Sequence, residues 1–158
     1  MELARQAAAL EIDENGNLRQ ELPGGGPAFP KIQPETDLPD EFADYLEGTL
    51  AWHNSALADK TIARQAWERI LHRPSKERRF KSTSAAFMLG RAWEKENPEK
   101  AILYLQQVRV LAKAGFSDRL GLAAASLGWE ARCWLNQTNY ERALDLYLQQ
   151  MATGDGSA

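Results

Sequence analysis

One cysteine, Cys133, among 158 residues leaves nothing for an internal disulfide to join. The two histidines, His53 and His72, fall on different predicted helices without metal-ligand spacing, which argues against a zinc site. No apolar run approaches the roughly 20 residues of a membrane-spanning helix. A formal net charge of −3 gives no global pull toward nucleic acid. The opening MELARQAAALEIDENGN has an acid at its second position and no long apolar core, so it does not read as a signal peptide. The run Gly24-Gly25-Gly26 ends in Pro27 and lacks a following Lys-Ser/Thr, so it is not a phosphate loop. No nucleophile–base pair stands out. These absences point to a protein without catalysis, cofactor, metal or membrane span, suited to a reducing, cytoplasmic setting.

What is present is helical period. From Pro39 onward, apolar residues recur at three- and four-residue spacings. The clearest stretch is Ser82 to Val108. Ala85, Met88, Leu89, Ala92 and Trp93 form one face, with small Ala86 and Gly90 permitting close approach. Asn97-Pro98 then caps and opens a second helix bearing Ala101, Ile102, Leu105, Val108 and Leu111, with Gly115 placed for a left-handed C-cap. So short a break makes an antiparallel hairpin. A weaker pair precedes it. Phe42, Tyr45, Leu46 and Leu50 with Gly48 are followed, after a break near Ala58–Asp59, by Ile62 to Leu71, and Pro74 stops that helix with Ser75 as the next cap. A third pair opens at Ser117 or Asp118 with Leu120 and Leu122 on its face, turns at Asn136 to Asn139 and ends before Gly154.

Residues 1–38 differ from everything after them. Glu2 to Leu10 could form a short helix, and Asn15-Gly16 between apolar positions is a weak hairpin signal. Pro23, Pro27, Pro30 and Pro34 with the glycine run interrupt regular structure from Leu22 to about Asp37. Through Asp40 this segment holds eight acids against Arg5, Arg19 and Lys31. It reads as a solvated leader, or as an arm packed along the helices and anchored by Phe29 and Ile32. The organisation expected is an irregular acidic arm over 1–38, a helical-repeat domain over 39–153 and a disordered tail over 154–158.

The second helices align on Ala63-x-x-x-Trp67, Ala101-x-x-x-Leu105 and Ala143-x-x-x-Tyr147. Repetition at spacings of 38 and 42 residues is a sign of stacked helix pairs, each needing its neighbour to bury an apolar face. Leu89-Gly90-x-x-Trp93, and Ala131-x-x-Trp134 with Asn139-Tyr140-x-x-Ala143-x-x-x-Tyr147, resemble the tetratricopeptide repeat family. The likeness spans about Asp40 to Met151. It departs in longer repeats, a central turn one residue short and a long first loop. The resemblance implies an all-α, right-handed superhelix of three antiparallel helix pairs whose first helices line a concave, partner-binding face. It also implies that the last pair, followed only by TGDGSA where a polar capping helix is usual, either has its apolar outer face covered by a neighbour or belongs to something longer.

By repeat position the concave face is expected to hold Tyr45, Thr49, Trp52, Phe87, Arg91, Lys95, Gly128, Arg132 and Asn136. Arg91 and Arg132 fall in equivalent places and suit a carboxylate or phosphate, although the family's carboxylate-clamp residues are not reproduced. Arg73, Lys76, Arg78, Arg79 and Lys81 make the one concentrated basic run. It reads as a solvated helix start, yet cations there oppose the helix dipole, and an acidic partner or the acidic arm would offset that. Trp67, Trp93 and Trp134 sit at packing positions, and Trp52 and Trp129 fall off the seam, where surface or inter-repeat packing is expected. Cys133 reads as a small packed residue. The function expected is a protein-interaction scaffold binding a peptide or partner protein, acidic in character. The rivals are an assembly domain that uses its last pair to self-associate or to dock within a larger chain or complex, and a regulatory domain sensing a small anion.

Overall fold

The computed structural model describes residues 11–12, 18–19, 38–54 and 60–154. The chain divides into two units, Met1–Pro34 and Glu35–Ala158. In the first, β1 (Glu11–Ile12) pairs antiparallel with β2 (Leu18–Arg19), Glu11 opposite Arg19 and Ile12 opposite Leu18, one residue off the register that a two-residue turn at Asn15-Gly16 would set. The short helix, the interrupted stretch and the arm's anchors lie outside the described residues.

The described part of the second unit is all helical. It comprises α1 (Asp40–His53), α2 (Thr61–His72), a 3₁₀ turn (Ser75–Glu77), α3 (Ser82–Trp93), α4 (Pro98–Lys113), α5 (Leu122–Asn136) and α6 (Tyr140–Ala152). α1 packs on α2, α3 on α4 and α5 on α6, while α2–α3 and α4–α5 join successive pairs. Among the described residues no helix is long and apolar enough to cross a membrane.

Each pair closes around a small residue. A Cβ on Gly48 would meet the Trp67 indole at 2.4 Å, and one on Gly90 would meet Leu105 at 2.6 Å, so both helices sit at glycine distance. Ala63, Trp67, Ile70, Ala85 and Leu89 form one buried cluster between α2 and α3. Ala86, Ala101, Leu105, Val108 and Cys133 form a second across α3, α4 and α5. Leu127, Ala131, Ala143 and Leu146 close the last pair.

The caps show why the helices stop where they do. The Asn97 side chain accepts from the Lys100 N–H at 2.9 Å, and Asn139 accepts from Arg142 at 3.1 Å. Gly115, at φ 86°, ends α4 in a Schellman arrangement. Its N–H donates to Ala112, and the Phe116 N–H donates to Leu111.

α3 begins at Ser82, where the central stretch begins, while Ser75, expected as its cap, opens a 3₁₀ turn instead. One helix start falls later than expected. α5 begins at Leu122. Gly121, at φ 67°, turns the chain, and Asp118 caps from outside, its carboxylate accepting from the Leu122 and Ala123 N–H groups at 2.7 and 3.0 Å. Leu120, expected on a buried helix face, is instead 78% exposed in the loop.

Candidate functional site

The first helices α1, α3 and α5 each present a row of residues at helical spacing. On α1 the row is Phe42, Tyr45, Thr49 and Trp52; on α3 it is Ser84, Met88 and Arg91, continued by Lys95 just past the helix. On α5 it is Leu122, Ala125, Trp129, Arg132 and Asn136. Two hollows open along these rows. At the helix N-terminal ends, a notch of about 380 Å³ is lined by Phe42, Phe80, Lys81, Ser84, Leu120 and Leu122 among others. Near the C-terminal ends, a cleft of about 340 Å³ is lined by Trp52, Lys60, Arg64, Arg91, Lys95, Trp129 and Arg132, with Glu94 and Glu96. Ser84 and Lys95 are eleven residues apart on α3, roughly 16 Å at 1.5 Å per residue, so one extended segment could reach both.

In the cleft most cations already have partners. Lys60 donates to the Trp52 carbonyl at 2.8 Å and lies 5.5 Å from its ring centroid. Arg64 bonds Glu96 and the Ala92 carbonyl and stacks 3.9 Å from the Trp93 ring. Arg132 meets the buried Glu94 at 2.7 Å. Arg91 differs. Its guanidinium lies 4.6 Å from the Trp129 ring and makes no ion pair among the described residues, while its Nε, like that of Arg64, is buried without a hydrogen-bond partner. Arg132 lies 5.2 Å from the same ring, so the two equivalent arginines share one indole.

Trp52, Arg91, Lys95 and Arg132 therefore gather in one cleft, and Asn136 is exposed at the end of α5. Tyr45 and Thr49 lie between the two hollows. The Thr49 hydroxyl donates to the Tyr45 carbonyl at 2.9 Å, and burial pushes the Tyr45 phenol above its ordinary titration range. Phe87 does not join the open face. It is 8% exposed and packs edge-on against Trp129, ring centroids 6.3 Å apart, so half-buried Met88 takes the row position. Gly128 faces α6, where a Cβ would meet Gln150. Trp129, Lys60 and Arg64 were not picked out for the site by sequence. Trp129 stands three residues before Arg132, a spacing that could have placed it on the row.

The basic run is not a solvated helix start. Arg73 reaches back to α1, bonding Asp40 and Asp44 at 2.8 Å each. Arg78 donates to the Arg73 carbonyl and Ser82 and lies 4.9 Å from the Phe116 ring. Lys81 sits 4.9 Å from the rings of both Phe42 and Tyr45. Lys76 and Arg79 are exposed. The acid that offsets the dipole penalty is Glu41 of α1. Only 3% exposed, it accepts from the Phe80 and Lys81 N–H groups at 3.0 and 2.8 Å, placing a carboxylate at the start of α3.

No family model, curated protein or solved structure matches this chain. Cys133 is fully buried, and burial together with Glu94 and Glu130 pushes its thiol up to about 11, so it is no nucleophile at neutral pH. Among the described residues no three of His, Cys, Asp and Glu gather to hold a metal ion. In the cleft, cations and indoles converge on open space.

Proposed function

We propose that the three helix pairs stack as a tetratricopeptide-like right-handed superhelix and serve as a non-catalytic scaffold. The partner is an acidic segment of another protein, lying along the face shared by α1, α3 and α5. Arg91 carries this reading. A guanidinium with no ion pair among the described residues, held against Trp129 beside exposed Lys95, is preorganised for a carboxylate. The notch with Phe42, Phe80 and Leu120 suits a large apolar side chain on the same segment. A single buried cysteine fits a reducing, cytoplasmic setting.

Selection from a displayed random-peptide library tests the reading. Enriched peptides are expected to combine Asp or Glu with a large apolar residue. Arg91→Ala should weaken them roughly ten- to hundredfold, as loss of a charge-assisted hydrogen bond implies. Lys95→Ala should weaken them less, and Lys76→Ala, on the loop before α3, should not. Peptides that bind Arg91→Ala and Lys95→Ala at full strength would overturn the proposal. The shared Trp129 platform favours one variation, a small carboxylate or phosphate bridging Arg91 and Arg132, which would appear as thermal stabilisation by the free anion.

A further inference from the structure

The outer face of α6 is apolar and open. Tyr140, Leu144, Leu148 and Met151 are 65%, 60%, 56% and 65% exposed and follow one another at helical spacing. The internal repetition says what kind of surface this is. Counting from the buried alanines Ala63, Ala101 and Ala143, the positions one, five and eight residues later are Arg64, Glu68 and Leu71 on α2, Ile102, Gln106 and Arg109 on α4, and Leu144, Leu148 and Met151 on α6. On α2 and α4 these positions hold the next helix pair. Arg64 bonds the Ala92 carbonyl, Glu68 accepts from Tyr104 at 2.7 Å, and Leu71 packs on both neighbouring clusters. Ile102 packs against the cluster that includes Cys133, while Gln106 and Arg109 bond Glu130 of α5. The α6 face is thus a helix-docking face, and the one of the three without a charge.

The other end of the stack tells which helix it takes. On α3 the residues turned to the preceding pair are Ala85, Leu89 and Ala92, all buried. Gly48 and Gly90 hold matching places, so the same positions on α1 are Ala43, Glu47 and Leu50, all exposed. Head-to-tail stacking of two copies would press Leu148 against Glu47 and its ion pair with Arg69, burying a carboxylate on hydrocarbon. A twofold arrangement has no such conflict. With α6 antiparallel to its copy, Leu144 lies opposite Leu148 and Tyr140 opposite Met151, so the stripe complements itself. Four side chains this exposed amount to on the order of 500 Å² when a large one covers 150–250 Å² in full. Doubled, that reaches the roughly 1,000 Å² of a specific interface.

We infer that α6 is a self-association surface on which two copies of this chain pair tail to tail, α6 against α6, about a twofold axis. The partner-binding face of α1, α3 and α5 is separate from it, so this inference stands or falls independently of the proposed function.

Sedimentation velocity on the full chain, from micromolar to near-millimolar concentration, is the test. A monomer–dimer equilibrium is expected. Leu148→Glu, at an exposed position, should keep the native circular dichroism and melting curve of the monomer while weakening the dimer by roughly thirtyfold or more. In a Cys133→Ala background, mixing Leu144→Cys with Leu148→Cys chains under oxidation should give a covalent dimer that neither gives alone in equal yield. A chain that stays monomeric at the highest concentration overturns the inference. So does a dimer indifferent to Leu148→Glu, or mass that grows beyond the dimer as head-to-tail stacking would require.

Discussion

The junction between the first and second helix pairs and the junction between the second and third are built from similar helices but hold their charges differently. In the first, the ion pairs lie at the rim. Arg64 reaches Glu96, whose side chain is 60% exposed, and Lys100 reaches Glu68, the two 38% and 28% exposed. In the second, the Glu130 carboxylate on α5 is fully buried, bonded by Arg109 and Gln106 of α4 and by Trp134. Rim pairs are screened by water and salt, and each contributes little. A buried carboxylate held by several donors cannot be removed without stranding them. The first junction is therefore tolerant and the second dependent on one residue.

The largest effect should follow from deleting that residue. Glu130→Ala leaves Gln106 and Trp134 without their acceptor and Arg109 without its counter-charge, and it should cost about 3 kcal/mol. Arg109 is 27% exposed and can turn partly to water, which holds the cost toward the low end of the range for a broken buried pair. Glu96→Ala at the first junction should cost less than about 1 kcal/mol. Urea midpoints of the two variants decide the matter. Equal midpoints would remove the contrast between the junctions.

A smaller effect is expected at Glu41, the one strongly buried acid of the first junction that contacts backbone rather than a cation. Its carboxylate serves α3 from another helix, so Glu41→Ala should destabilise by about 1–2 kcal/mol, as loss of a helix cap does. Glu41→Gln keeps an acceptor oxygen and should recover part of that. Amide exchange read by NMR should quicken at Phe80 and Lys81 before it quickens in the α5 helix. Uniform quickening would mean that Glu41 acts on global stability and not on the start of α3.

The helix pairs were legible in the sequence because they rest on local signals. Asn97-Pro98, Asn139 and Gly115 act through neighbours three or four residues away, and Gly48 and Gly90 announce close approach wherever they fall on a helix face. The start of α5 was not legible. Leu120 and Leu122 both suit the helical period, and what excludes Leu120 is the left-handed backbone of Gly121, which the apolar pattern does not register. The partners of the basic run were hidden for another reason. Arg73 meets Asp44 from 29 residues away and Glu41 reaches Lys81 across 40, separations that only the packing of α1 beside the α2–α3 turn can set. Within the candidate site, Arg91 and Arg132 could be paired by repeat position. Phe87 was misplaced because adjacent residues on a helix differ by a third of a turn, enough to carry its ring from the open face to the side of Trp129.

The smallest effect comes from the thiol, and it probes how dry the second junction is. Cys133 lies one helical turn from both Trp129 and Gln137 on α5, and in the folded protein it titrates at about 11 against an ordinary value of 9.0. Burial is the main cause, followed by the negative charges of Glu94 and Glu130. Above pH 9 the unfolded chain loses the thiol proton while the folded chain keeps it. Stability tied to Cys133 is thus intact below pH 9 and falls as pH rises toward 11, by about 1 kcal/mol between pH 9 and pH 10. Tyr45 and Tyr104 are also shifted upward, so their own loss begins near the ordinary tyrosine value of 10.0, one unit above that of the thiol. Chemical unfolding at pH 8, 9 and 10 should show this slope in the native protein and a flatter one in Cys133→Ala. In Glu130→Ala the slope should shrink as well, because one of the charges raising the thiol is gone and water can enter beside it. An unchanged slope in Cys133→Ala would assign the alkaline loss to other groups, and with it would go the reading of this junction as the drier of the two.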